Sequence, residues 1–147
     1  MRKDLFWDLN TDGESLSLYV DGASRGNPGP AGIGVVLCDR SQRTVCECGK
    51  FIGETTNNVA EYTALIYGLQ EALLRKVSRI SVHTDSELLA RQLQGRYKVK
   101  ESHLKMLHRQ VRALIQNFSR FEIHHVPRTE NRRADKLANE AIDTMKL

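Results

Sequence analysis

The stretch Asp21-Gly22-Ala23-Ser24-Arg25-Gly26-Asn27-Pro28-Gly29-Pro30 governs how the rest of the chain reads. Before it, Leu16, Leu18 and Val20 alternate with Ser17, Tyr19 and Asp21. That period of two marks a β-strand with two different faces. The strand is expected over Leu16–Asp21, ending with an aspartate pointed out of the sheet. Three glycines and two prolines follow Asp21, so the chain is expected to turn there at once. Glycine also removes side-chain bulk and lets another molecule approach the backbone. An Asp-Gly pair alone is common in turns and carries no function by itself; the other carboxylates have to decide.

Working outward, Ala31–Asp39 reads as a second strand, Arg40-Ser41-Gln42-Arg43 as a turn and Thr44–Ile52 as a third strand. Closely spaced strands with a short polar turn suggest an antiparallel meander. Thr55-Thr56-Asn57-Asn58 opens a helix expected to run to about Lys76. Ala60, Ala64, Gly68 and Ala72 form a small-residue row on it, beside a row of Glu61, Leu65, Leu69 and Leu73. Residues four apart share a face, so Glu61 is expected in the first turn, turned toward the sheet. Arg79–Asp85 is a fourth strand, again ending in an aspartate. Ser86–Leu93 reads as a short helix stopped by Gly95. Ser102 is expected to cap a helix reaching about Phe118. Arg120–Val126 is a fifth strand. A last helix starts at Asn131, with Ala134, Leu137, Ala138, Ala141, Ile142 and Met145 as its apolar stripe and Asp135 in its first turn. The order βββαβααβα predicts an α/β fold with a five-stranded mixed sheet flanked by helices.

The chain has 147 residues and a net charge of +4. That length suits one domain, expected over residues 14–147, behind a short extension at residues 1–13. The excess of base suits a polyanionic partner without proving one. Cys38, Cys46 and Cys48 have no zinc-like spacing, so buried or half-buried free thiols in a reduced, cytoplasmic protein are expected. No apolar run approaches the roughly 18 residues of a membrane span. The first ten residues lack the apolar core of a signal peptide.

Each carboxylate has a plain structural role open to it. Glu61 could close a capping box with Asn58, Asp85 could neighbour a helix cap at Ser86, and Asp135 could favour a helix dipole. Together they fit that less well. Two sit at strand ends and two in first turns of helices that pack on the sheet. If the strands of Asp21 and Asp85 are parallel neighbours, those two carboxylates lie side by side. Four like charges in one place raise one another's pKa values, and a fold rarely assembles them without cations. Two Mg²⁺ would balance them, hard oxygen ligands suit Mg²⁺, and two such ions about 4 Å apart can cleave a phosphodiester.

At these residues the chain resembles ribonuclease H of type 1. The matching runs are Tyr19-Val-Asp21-Gly-Ala-Ser-Arg-Gly-Asn27-Pro-Gly-Pro30, Thr55-Thr-Asn57-Asn58-Val-Ala-Glu61, His83-Thr-Asp85-Ser86 and Glu130-Asn131-Arg-Arg-Ala-Asp135-Lys-Leu-Ala138. The resemblance spans about Leu16 to Met145. It implies the ribonuclease H-like fold and two-metal, Mg²⁺-dependent (or Mn²⁺-dependent) endonucleolytic hydrolysis of the RNA strand of RNA–DNA hybrids. The implied products have 5′-phosphate and 3′-hydroxyl ends. It assigns Asp21, Glu61, Asp85 and Asp135 as the metal-binding catalytic set. It also implies hybrid contacts at Gly22, Ser24, Gly26, Asn27, Asn57, Asn58 and Ser86, with Thr56 near a DNA-strand phosphate. Hydroxyls and amides suit a 2′-hydroxyl, which both donates and accepts.

The match departs from many members of the family in two places. Their glycine-containing loop with a histidine before the last helix is here the shorter His124-His125-Val126-Pro127-Arg128-Thr129-Glu130. Counting back from Asp135 lands near His125, while strand alternation makes both histidines part of the fifth strand; Glu130 or Arg128 are alternatives. A long basic protrusion is replaced by Arg91, Arg96, Tyr97, Lys98, Lys100, Lys105, Arg109 and Arg112 with little insertion, readable as a phosphate-facing patch or as a solvated face. Residues 1–13 are too few for a separate hybrid-binding domain, so none is expected there. A monomer is expected. The rival readings are a non-catalytic hybrid-binding module of the same fold and an ATPase built on the same sheet, which would need two such domains.

Overall fold

The computed structural model describes residues 15–145. The expected extension over residues 1–13 lies outside the described residues. Five strands, β1 (Ser15–Ser24), β2 (Gly29–Cys38), β3 (Thr44–Thr55), β4 (Arg79–Thr84) and β5 (Arg120–His125), form one sheet in the order β3-β2-β1-β4-β5. The first three pair antiparallel, while β1–β4 and β4–β5 are parallel. The helices are α1 (Asn57–Leu74), α2 (Glu87–Leu93), α3 (Ser102–Ile115) and α4 (Arg132–Met145), with one 3₁₀ turn at Arg128–Glu130. The order βββαβααβα is the one that the alternation and turn residues predict.

The first strand corrects its sequence reading. β1 does not turn after Asp21; Asp21 pairs with Gly34, Gly22 with Ile33, Ala23 with Gly32 and Ser24 with Ala31. Only the ladder to β4 stops, at Val20 opposite Thr84. Asp21 is therefore inside the strand toward β2 and past its end toward β4. Gly22 supplies room rather than a bend: a Cβ there would stand 2.3 Å from the Ala60 carbonyl carbon.

α1 lies on one face of the sheet. Its small row, Ala60, Ala64, Gly68 and Ala72, is buried, and Leu18, Leu65 and Leu69 are fully enclosed in the main core. A Cβ on Gly68 would meet Leu18 Cδ1 at 2.7 Å, so the row sets how closely helix and strand approach. The cap is Thr56, whose hydroxyl accepts from the Val59 amide at 3.3 Å. The helix thus begins at Asn57, and Glu61 falls in the second turn, not the first.

α4 covers the opposite face through Ala134, Ala138 and Ile142. It comes so close to β2 that a Cβ on Gly34 would meet the Ala134 carbonyl oxygen at 1.9 Å. Met145, expected in the stripe, is 59% exposed. Ser102 does not cap α3; Glu101 holds the cap position in extended backbone with no side-chain bond, and Ser102 is already helical. α3 also stops at Ile115, because Phe118 is buried in the turn that leads to β5. Among the described residues no helix is long and apolar enough to cross a membrane.

Candidate active site

The parallel register places the first two acids. Val20 opposite Thr84 is the last β1–β4 pair, so Asp21 and Asp85 leave that ladder together. Thr84 is buried and its Oγ1 accepts from the Ser86 amide at 3.0 Å; Ser86 Oγ in turn accepts from Leu89 N at 3.1 Å, capping α2. These bonds fix the bend that carries Asp85. Glu61 arrives from α1, and its Oε1 accepts from the Gly22 amide at 2.9 Å. That bond spans 39 residues and excludes the capping-box role with Asn58.

Carboxylate oxygens of Asp21, Glu61 and Asp85 all lie within 4.8 Å of one another, and Asp21 and Glu61 are each only 5% exposed. Burial pushes the Asp21 carboxyl far above the usual range, and the charges of Glu61 and Asp85 push it further. Burial also raises Glu61; the Gly22 amide pulls against this, Asp85 and Asp135 add to it, and Arg128 opposes it. A set of hard oxygen donors this close, two of them buried and the third half-buried at an open cleft, fits a hard divalent cation such as Mg²⁺ or Mn²⁺.

Asp135 borders the same open cleft, of about 530 Å³, from the first turn of α4. Its Oδ1 accepts from Arg128 Nη2 at 3.3 Å and from Asn139 Nδ2 at 3.3 Å. The helix start is itself tied to β1. Asn131, 1% exposed, donates from Nδ2 to the Val20 carbonyl at 2.8 Å, and its own carbonyl accepts from the Asp135 amide at 3.1 Å. Asn131 so joins the residue before one acid to the turn that carries another. Sequence reasoning quoted Asn131 without giving it a task, because an asparagine at a helix start reads as a cap.

Of the expected hybrid contacts, Gly22, Ser24, Asn57 and Ser86 line the cleft. Gly26, Asn27, Thr56 and Asn58 lie outside its lining, on the loop and helix start joined to it. Asn27 Oδ1 accepts from the Asn57 amide at 2.9 Å, locking that loop to α1, and the Ser24 hydroxyl has the Gly26 and Thr55 carbonyls as alternative acceptors for its one hydrogen. Gly26 has φ +107°, which favours glycine. His125 borders the cleft from the end of β5. His124 points elsewhere: it stacks on His83 at 5.4 Å, which stacks on Tyr19 at 4.6 Å. Glu130 borders a separate pocket with Tyr19 and Cys38, so of the two loop alternatives only Arg128 faces the acids. Arg25 and Asn139, not singled out in the sequence, also line the cleft and bond to each other. The exposed bases of segment 96–112 do not line it. Cys38 is buried and Cys46 and Cys48 are half-buried, all three free, as expected.

With this geometry in view, known proteins can be compared. A family described as reverse transcriptase-like matches residues 19–141. The ribonuclease HI of Halobacterium salinarum is 44% identical over 131 residues, covering 89% of this chain and 66% of that protein. A bifunctional protein of Mycobacterium tuberculosis is 47% identical over 127 residues, 86% of this chain; the chain spans only 35% of that relative's length. The crystal structure of the Halobacterium ribonuclease H1 superposes with a TM-score of 0.86 at 44% identity, covering 88% of this chain and 98% of that one. LC11-RNase H1, solved in complex with an RNA/DNA hybrid, superposes at 0.86 with 45% identity, covering 90% and 99%. The sheet order and these superpositions define the ribonuclease H-like fold. Within it, the chain belongs to the ribonuclease H type 1 family.

Proposed function

We propose that this chain hydrolyses the RNA strand of RNA–DNA hybrids, cutting internally and leaving 5′-phosphate and 3′-hydroxyl ends. The observation that carries the reading is the trio Asp21, Glu61 and Asp85, with oxygens within 4.8 Å in an open cleft. The relatives named as ribonucleases H, and the hybrid bound by LC11-RNase H1, support the substrate class. Asp21, Glu61, Asp85 and Asp135 are the residues that would hold Mg²⁺, or Mn²⁺, in the cleft. Two such ions, when bound, supply an activated water and a counter-charge for the departing oxygen.

The chain's own part is to hold and to read. The Gly22 amide fixes Glu61, and the parallel ladder sets Asp21 beside Asp85. Gly22 borders the cleft, and Gly26, without a side chain in the loop joined to it, lets a sugar-phosphate chain approach. Ser24, Asn57 and Ser86 offer hydroxyls and amides to 2′-hydroxyls, which DNA lacks. Asn27 and Thr56 hold the loop and helix start beside that wall through the Asn57 and Val59 amides; Asn27 and Asn58 are proposed as further contacts to the hybrid, and Thr56 as the contact to a DNA-strand phosphate. His125 is the imidazole bordering the cleft among the described residues, and is the candidate for carrying protons there. We take the working form to be a monomer, and three free cysteines suit the reducing cytoplasm.

A non-catalytic hybrid-binding module of this fold is the rival. It has no use for buried, mutually repelled carboxylates where phosphates must approach. The test is cleavage of an end-labelled RNA–DNA hybrid, with RNA–RNA and DNA–DNA duplexes as controls, in Mg²⁺ and in EDTA. RNA cutting in the hybrid alone, dependent on metal and yielding 5′-phosphates, is the expected result. Tight hybrid binding with no cutting in Mg²⁺ or Mn²⁺ would leave the binding module.

A further inference from the structure

The loop before α4 puts one guanidinium beside the four carboxyl groups. Arg128 stands on the 3₁₀ turn between Pro127 and Asn131, and the Asn131 amide donates to its carbonyl at 3.0 Å. Asn131 is itself fastened to Val20, so the base of the Arg128 side chain is held by the same tie that places Asp135. From there the guanidinium reaches Asp135 Oδ1 at 3.3 Å, and it lines the cleft with Asp21, Glu61 and Asp85.

The contact is not built to last. It is a single N–H to one oxygen rather than the two-pronged pairing that makes arginine–carboxylate bridges strong. The Arg128 side chain is 76% exposed against 29% for Asp135, so the charged end can swing into water at little cost. The acid it touches belongs to the set proposed to take a divalent ion. A cation arriving at Asp135 and the guanidinium therefore want the same carboxylate.

We infer that Arg128 is a tethered counter-cation: it neutralises the Asp135 side of the acidic cluster when no metal is bound and competes with a divalent ion for that carboxylate. Loading of the site then includes release of Arg128 from Asp135. Arg128 is a positioning residue for the metal, not a ligand. The inference rests on the metal-centre reading above and adds to it an element of this chain's own.

The test is calorimetric titration of Mn²⁺ into EDTA-stripped, dialysed full-length protein, comparing wild type, Arg128→Ala, Arg128→Lys and Asp85→Asn, with melting temperatures in EDTA and in Mn²⁺. Asp85→Asn keeps Arg128 and reports on the metal centre alone. Arg128→Ala is expected to bind Mn²⁺ roughly five-fold more tightly, the scale of one exposed ion pair, with Arg128→Lys in between. It should melt lower than wild type in EDTA, with the gap closing in Mn²⁺. Unchanged or weaker Mn²⁺ affinity in Arg128→Ala, while Asp85→Asn binds poorly, overturns the counter-cation role and leaves the metal centre standing. Equal Mn²⁺ binding by wild type and Asp85→Asn overturns the metal centre, and the inference with it.

Discussion

At the scale of single residues, the acids are defined by what they lack. Asp21 is buried beside Glu61 and Asp85, and burial first, then those charges, raise its carboxyl above the ordinary value. The folded protein then holds a proton that the unfolded chain, titrating near 4, releases. The stability from that proton is full below about pH 4 and is lost as pH rises toward the folded-state value. Asp21→Asn should therefore raise the melting temperature in EDTA, by more at pH 8 than at pH 5, with a gain on the order of 1 kcal/mol at the higher pH. A variant that melts lower than wild type at both values would make Asp21 a structural acid. The identity of the acids was legible in the sequence because their residue types and order carry it. Their unequal settings were not: Asp21, Glu61 and Asp85 converge, while Asp135 is engaged by Arg128 and Asn139. That difference depends on rotamers set by contacts between residues far apart in the chain, Gly22 to Glu61 across 39 residues and Val20 to Asn131 across 111, together with the turn before α4.

At the scale of elements, two helices are brought onto the sheet and each delivers an acid. Period-two and period-four patterns make all five strands and four helices readable. What they miss is where an element stops when a partner strand, not the local residues, decides it. β1 runs past Asp21 because β2 still pairs with it, and the glycine there serves helix packing rather than a turn. The Gly22→Ala variant tests this. Its Cβ would fall 2.3 Å from α1 backbone, so α1 must shift, at a cost of about 1–3 kcal/mol, and carry Glu61 with it. Urea unfolding and Mn²⁺ titration should both register the change; a variant of wild-type stability and affinity would mean α1 has slack. Asn131→Ala tests the other helix. Losing the buried bond to Val20 should cost about 1–3 kcal/mol and lower the cleavage rate beyond what that unfolding explains. A loss of stability with an unchanged rate in the folded fraction would show that Asp135 does not need the tie.

At the scale of the whole molecule, the acids sit in a cleft on a protein of net charge +4. The exposed bases of α3, Lys105, Arg109 and Arg112, lie outside the cleft lining and are the surface most able to meet a strand of hybrid beyond the cut. Replacing Lys105 and Arg109 by glutamate should weaken hybrid binding and make its salt dependence shallower by about one log unit per lost phosphate contact, with little change in cleavage at saturation. Equal affinity and an equal slope would make that face merely solvated. A net charge of +4 suits a polyanionic partner but does not say which face would meet it, since charge counts carry no direction. The central claim is that the acid cluster exists for catalysis and not for the fold, and Asp85→Asn measures it most directly. Its hybrid cleavage rate in Mg²⁺ should fall to background, while its melting temperature in EDTA is equal to or above that of the wild type, because one repelled charge is gone. Retained cleavage, or a fall of several degrees in metal-free melting temperature, would contradict the claim.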